Sequence, residues 1–167
     1  MTKKEKITGN FIKSFYKKID INTFILTIAI LILILDQLTK YLIKTKLYLY
    51  ESIPIIKNIF HITYTTNAGA GFGILQNYRW FFVVFTVIFI IAIYIYYSKY
   101  YASIKKDFYL AICIALLLGG ALGNFYDRLR FGYVVDFLDF RIWPTFNVAD
   151  SAVSVGAVLL IIWLWKK

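Results

Sequence analysis

The chain is organised by four long apolar runs that are apolar on every side. They cover about 21–41, 80–97, 108–123 and 148–165, and the third is expected to extend as a span to 127. A helix that must shield one face from water alternates apolar and polar positions at a period of 3.6 residues. These runs show no such polar stripe. A transmembrane helix needs about 20 largely apolar residues, with a range of roughly 17–25. The pattern therefore predicts four membrane-spanning helices rather than a water-soluble bundle.

Between the first and second runs the pattern changes. Ser52–Leu75 is rich in β-branched and aromatic residues, notably Ile53, Ile55, Ile59 and His61-Ile62-Thr63-Tyr64-Thr65-Thr66. That composition predicts short strands. The small-residue stretch Asn67–Gly73 follows as a turn, and Tyr133–Phe140 also reads as extended. The expected fold is an α-helical membrane protein of four spans, with a small outer-side β-sheet and short extracytoplasmic loops. Its 167 residues form one membrane-embedded domain.

Composition agrees with this class. The chain is 60% hydrophobic and 17% charged, whereas soluble domains run about 25% charged. The net charge is +10. Lys3, Lys4, Lys6, Lys13, Lys17 and Lys18 crowd the basic tail 1–20, Lys99, Lys105 and Lys106 lie between the second and third runs, and Lys166 and Lys167 end the chain. Short positive flanks of this kind mark cytoplasmic loops, so both termini are expected inside. The asymmetry is modest, because Lys44–Arg79 and Arg128–Asn147 are also basic. The lysines abut apolar spans rather than a polar binding surface, which argues against a nucleic-acid partner. The N-terminus mimics a secretory signal, but the run is long and no small-x-small cleavage site follows, so a retained first span is expected. Cys113 lies within an apolar run and reads as a packing residue.

The candidate chemistry sits in carboxylates at or near membrane depth, where an ionisable group is costly unless paired or wetted. Asp36 and Lys40 are spaced to share a helix face and to pair. That pair reads either as structural or as a substrate contact. Asn124, Asp127 and Arg128 also share a helical face. An Arg128 partner would keep Asp127 ionised and structural. Asp136 and Asp150 have no such cation beside them and are flanked by Val135, Phe137, Val148 and Ala149. Apolar surroundings raise carboxyl pKa values, and two adjacent carboxyls cannot both ionise easily. If the fold brings them together, one can deprotonate water while the other donates a proton. The competing reading is structural, with Asp136 capping a strand turn and Asp150 capping the last helix.

Other chemistries have less support. His61 is the only histidine and lacks cysteine partners for a zinc site. Ser52 and Lys57 could serve a serine-type peptidase, but nothing around them marks such a pair. A membrane scaffold or transporter subunit with a carboxylate relay would place its acids at mid-span, whereas these cluster at one interface.

Five ordered segments carry a resemblance: Asp36-Gln37-Leu38-Thr39-Lys40, Asn67-Ala68-Gly69-Ala70-Gly71-Phe72, Gly119 through Arg128, Val134-Val135-Asp136-Phe137 and Phe146-Asn147-Val148-Ala149-Asp150-Ser151. From Asp36 to the C-terminus the chain resembles the lipoprotein signal peptidases, or signal peptidase II. The resemblance implies a bacterial aspartyl endopeptidase of the cytoplasmic membrane, with its active site at the outer face. Such an enzyme removes signal peptides from diacylglyceryl-modified prolipoproteins, cutting before the lipidated cysteine, without metal or cofactor. The implied catalytic pair is Asp136 and Asp150. The implied supporting or substrate-binding residues are Asp36, Lys40, Asn67, Gly69, Asn124, Asp127, Arg128 and Asn147. Implied partners are the prolipoprotein substrates and membrane lipids, and the chain is expected to act as a monomer. There are departures: Ala68 and Gly71 replace the family's usual threonine and second alanine, the stretch between Asp136 and Asp150 looks short, and the basic tail has no counterpart.

Overall fold

The computed structural model describes residues 20–69 and 75–166. The elements run α1 (Ile21–Lys46), β1 (Ser52–Ile56), β2 (Phe60–Asn67), α2 (Arg79–Ile104), α3 (Phe108–Phe131), β3 (Val134–Asp139) and α4 (Val148–Trp165). All four helices are long and apolar enough to cross a membrane. The first three run past the expected spans, because residues such as Lys44, Lys46, Lys99, Arg128 and Arg130 continue the helix. The expected basic tail lies outside the described residues save for Asp20. Asp20 caps α1 by accepting from the Thr23 N–H.

The helix α3 is central. It packs against α1, α2 and α4, and its most apolar stretch is 61% buried, against 22%, 11% and 17% for α1, α2 and α4. Helices in lipid gain little from hiding apolar side chains, so close packing depends on small residues that let backbones approach. Gly120 meets this need against α4: a Cβ there would lie 2.4 Å from the Ala149 carbonyl oxygen. Gly119 does the same for α1, where a Cβ would lie 2.8 Å from the Ala29 carbonyl oxygen, and Gly123 leaves room for the Asp36 carboxylate, with a Cβ 2.6 Å from Oδ2. The opposite side of each outer helix exposes large apolar groups such as Leu31, Ile34, Phe85, Ile88, Val158 and Ile161. That inside-out pattern is what a lipid-facing surface requires.

The sheet is antiparallel, in the order β1-β2-β3. The register of β2 on β3 slips by one residue between Ile62, which pairs with Leu138, and Thr65, which pairs with Asp136. The short stretch after β3 folds back on it, and Phe146 bridges to Leu138. Asp139 closes this turn by accepting from the Arg141 backbone and guanidinium, each at 2.8 Å. Burial would raise the Asp139 carboxyl, but the hydrogen bonds from Thr63 and Arg141 prevail and hold it below the ordinary carboxylate value.

Alternating helix direction brings the end of α1, the end of α3 and the start of α4 to the same end of the bundle. The sheet is joined to that end. The opposite end is closed by apolar packing among Ile21, Ile25, Ile104, Leu110 and Ile114.

Candidate active site

The polar end contains two layers of carboxylates. The inner layer is closed. Asp36, Lys40 and Asp127 are 0%, 2% and 1% exposed. Lys40 Nζ lies 2.7 Å from Asp36 Oδ2, 3.0 Å from Asp127 Oδ2 and 3.0 Å from Asn124 Oδ1. An ammonium group has three protons, and here each has an acceptor. The remaining carboxylate oxygens are also engaged. The Ala149 N–H donates to Asp36 Oδ1 at 2.9 Å, and Gln37 Nε2 donates to Asp127 Oδ1 at 3.0 Å. Asp36 therefore reaches across from α1 to satisfy a free N–H in the first turn of α4.

The outer layer is built from α3, β3 and α4. Because Asn124 turns its oxygen to Lys40, its amide nitrogen faces outward and donates to Asp150 Oδ1 at 2.7 Å. Asn147 is the N-cap of α4, and with Asp150 it forms a reciprocal capping box. Its backbone N–H donates to Asp150 Oδ2 at 3.2 Å, while its Nδ2 donates to Asp136 Oδ1 at 2.7 Å. A single residue thus holds both carboxyls. Asn67, at the end of β2, hydrogen-bonds to Asp136 as well. The Asp136 carboxyl is pushed up from 3.8 to about 7, first by burial and then by the Asp150 charge. The capping role of Asp150 does not exclude a chemical one, since the cap fixes the carboxylate where the cavity begins.

Asp136 and Asp150 both line a cavity of about 490 Å³, together with Asn67, Gly69, Asn124, Arg128 and Trp143. A second groove of about 330 Å³ shares Asn124, Arg128 and Asp150, and runs between α2, α3 and α4 past Phe82, Phe85 and Phe89.

One expectation fails. Arg128 does not serve as the partner of Asp127. Consecutive helical residues point in different directions, so Asp127 turns to Lys40 while Arg128 turns to the loop. Arg128 Nη2 donates to the Gly69 carbonyl at 3.2 Å, and its guanidinium lies 4.9 Å from the centre of the Phe82 ring. Gly69 is held in turn by its N–H, which donates to Asn67 Oδ1 at 2.9 Å. All ten residues singled out from the sequence lie at this end. Ala68 is described, but Gly71 lies outside the described residues.

Sequence reasoning missed Gln37, Thr65 and Thr145. Gln37 sits inside the Asp36–Lys40 segment, and its amide spans Asp36 Oδ2 and Asp127 Oδ1 at 3.1 Å and 3.0 Å. An amide beside two carboxylates that share one lysine was a readable signal. Thr65 and Thr145 carry no such signal, because only strand register brings Thr65 to Asp136, and Thr145 meets the Thr65 hydroxyl from a loop. In the Ser52–Lys57 alternative, the serine hydroxyl is engaged by its neighbours on β2. Thr63 donates its one proton to Asp139, so at the 2.8 Å contact with Thr63 it is Ser52 that donates. Ser52 Oγ then receives the His61 Nδ1 proton at 3.0 Å. His61 cannot act as a base toward Ser52 in that arrangement. Among the described residues no group of three or more His, Cys, Asp or Glu is clustered as metal ligands.

Comparison with known proteins places this geometry. Residues 28–166 match the family model described as signal peptidase (SPase) II. A protein of Halothermothrix orenii named lipoprotein signal peptidase is 50% identical over 140 residues, covering 84% of this chain and 94% of the relative. A protein of the same name from Moorella thermoacetica is 50% identical over 135 residues, covering 81% and 88%. A bacterial membrane enzyme solved by the in meso method at 2.3 Å superposes with a TM-score of 0.76 at 39% identity, covering 86% of this chain and 88% of that one. A second such enzyme, solved at 1.9 Å, gives 0.74 at 38% identity, covering 87% and 94%. With residues 28–166 matched by the family model and relatives 50% identical over more than four-fifths of its length, this chain belongs to the signal peptidase II family of membrane peptidases.

Proposed function

We propose that this chain removes the signal peptide from diacylglyceryl-modified prolipoproteins, cleaving before the lipidated cysteine, with Asp136 and Asp150 acting on one water. The observation that carries this reading is that Asn147 holds both carboxyls at the wall of one cavity. The names of the relatives supply the substrate class.

The two aspartates are not equivalent. Each Asp150 oxygen accepts from a pure N–H donor, Asn124 Nδ2 or the Asn147 backbone. Both oxygens are acceptors in these bonds, so Asp150 takes the base role in the proposed mechanism. Asp136, with its carboxyl near 7, still holds a proton in about half of the molecules at pH 7. In this mechanism Asp150 takes a proton from water as the water oxygen attacks the scissile carbonyl, and Asp136 protonates the carbonyl oxygen. The resulting gem-diol collapses as the C–N bond breaks: Asp150 gives its proton to the departing amine of the lipidated cysteine, and Asp136 takes one back from a gem-diol hydroxyl, which restores both carboxyls. The groove lined by Phe82, Phe85 and Phe89 gives apolar substrate segments a path from lipid to Asp150.

The remaining parts of the reading are topological. Residues 1–167 act as a single domain and a monomer in the bacterial cytoplasmic membrane, in contact with its lipids. Both termini are cytoplasmic and the sheet lies outside. Supporting this, the sheet and the segment between Asp136 and Asp150 lie at the polar end, and the positive residues Lys105 and Lys106 fall at the other end.

The test is cleavage of a diacylglyceryl precursor peptide by the purified protein. Asp136→Asn and Asp150→Asn should each lower the rate by about 10³-fold or more, consistent with loss of an essential acid or base. Both should stay folded. Wild-type activity in either variant would sink the assignment.

A further inference from the structure

Thr65 stands opposite Asp136 only because β2 carries a bulge. In the register set by Ile62 and Leu138, Tyr64 would face Asp136. The slip between Ile62 and Thr65 puts Thr65 there instead. Bulges re-aim side chains and are frequent beside functional sites.

The Thr65 hydroxyl makes two contacts. It lies 3.2 Å from the main-chain oxygen of Asp136 and 2.7 Å from Thr145 Oγ1. The proton directions are forced. A carbonyl oxygen only accepts, so the one Thr65 proton goes to Asp136. Thr145 must then donate to Thr65. Thr145 lies on the segment entering α4, two residues before Asn147, and Asn147 donates to both Asp136 and Asp150. One hydroxyl therefore ties the backbone of the first aspartate to the chain that orients both.

We infer that Thr65 is a positioning residue for the aspartate pair, fixing β3 against the segment that leads into Asn147. The inference rests on the reading of Asp136 and Asp150 as the reacting pair. Without the Thr65 hydroxyl, Thr145 loses its acceptor and the Asp136 carbonyl loses a donor. The backbone bonds of Phe146 to Phe137 and Leu138 still join the two segments, but they loosen beside Asp136, and its carboxyl gains water.

The test compares Thr65→Val, which keeps the side-chain shape, with Thr65→Ser, which keeps the hydroxyl. It uses the full-length protein in lipid nanodiscs. Thr65→Val should lower kcat about five- to tenfold, the scale of one lost hydrogen bond, with KM within about twofold. Thr65→Ser should restore kcat to within about twofold. Independently of substrate, the Asp136 carboxyl titration followed by carbon-13 NMR should move down by about half a unit or more in Thr65→Val and return in Thr65→Ser. An unmoved titration in Thr65→Val, or a loss that serine does not rescue, overturns the inference. If the wild-type protein fails to cleave the precursor, the proposed function falls, while the titration still decides the role of Thr65.

Discussion

Two groups of aspartates occupy one end of this bundle and differ in what remains available to them. Asp36 and Asp127 are closed around Lys40, whose three protons are all taken. Asp136 and Asp150 are held just as firmly from behind, by Asn147 and Asn124, yet they face an open cavity. Burial alone does not separate the two groups. Access does: the first pair is finished as structure, whereas the second can still engage a water and a substrate.

The contrast can be broken most severely at Lys40. Lys40→Met leaves two buried carboxylates without their cation, which costs about 3–5 kcal/mol. Thermal unfolding should show this as a large loss of stability. Adding Asp36→Asn and Asp127→Asn should recover most of it, because the uncompensated charges are then gone. A single Lys40→Met variant as stable as wild type would mean that the closed layer is not held by charge.

A smaller effect is expected at Gly120, which separates packing from charge. Gly120→Ala places a Cβ 2.4 Å from the Ala149 carbonyl oxygen and 2.8 Å from Val153 Cγ2. Overpacking of this kind costs about 1–3 kcal/mol. The α4 helix must move away from α3, carrying Asp150 off Asn124. Cleavage should fall about 10- to 100-fold, as misplacement of a reacting group predicts. Unchanged cleavage would show that Asp150 does not depend on the α3–α4 approach.

The smallest effect sharpens the contrast through pH. The Asp136 carboxyl sits near 7 in the folded protein, against an ordinary value of 3.8. Between those values the folded state keeps a proton that the unfolded chain has released. Asp136 therefore lowers stability progressively as pH rises through that window, with no further loss above it. Asp136→Asn should be more stable than wild type at pH 8, by about 1–3 kcal/mol, and equal to it near pH 4. Wild-type cleavage should also decline about tenfold per unit above pH 7, as the proton on Asp136 is lost. A wild-type protein that gains activity steadily up to pH 9 would remove Asp136 as the acid.

Much of this was legible in the chain. Four runs without a polar stripe fixed the helices, and β-branched residues around Thr63 marked the sheet. Asp36 and Lys40 could be paired from spacing alone, because both lie on one helix. The pairing of Asp127 could not. Its cation lies on α1, and its neighbour Arg128 points elsewhere, to Gly69 and Phe82. Thr65 was invisible for a related reason. Its place opposite Asp136 comes from a one-residue slip in strand register, which no local composition encodes.

The sequence by itself determined the lipid-facing class, the spans and the residue types able to carry acid–base chemistry. These follow from transfer free energy and from helical or strand period, both of which act over a few residues. Only the tertiary structure decided which carboxylates are closed and which face the cavity. That outcome depends on the Gly120 and Gly123 contacts, on the direction of the Asn124 amide, and on the way one asparagine caps α4 while holding Asp136. Each joins segments far apart in the chain, where local pattern carries no information.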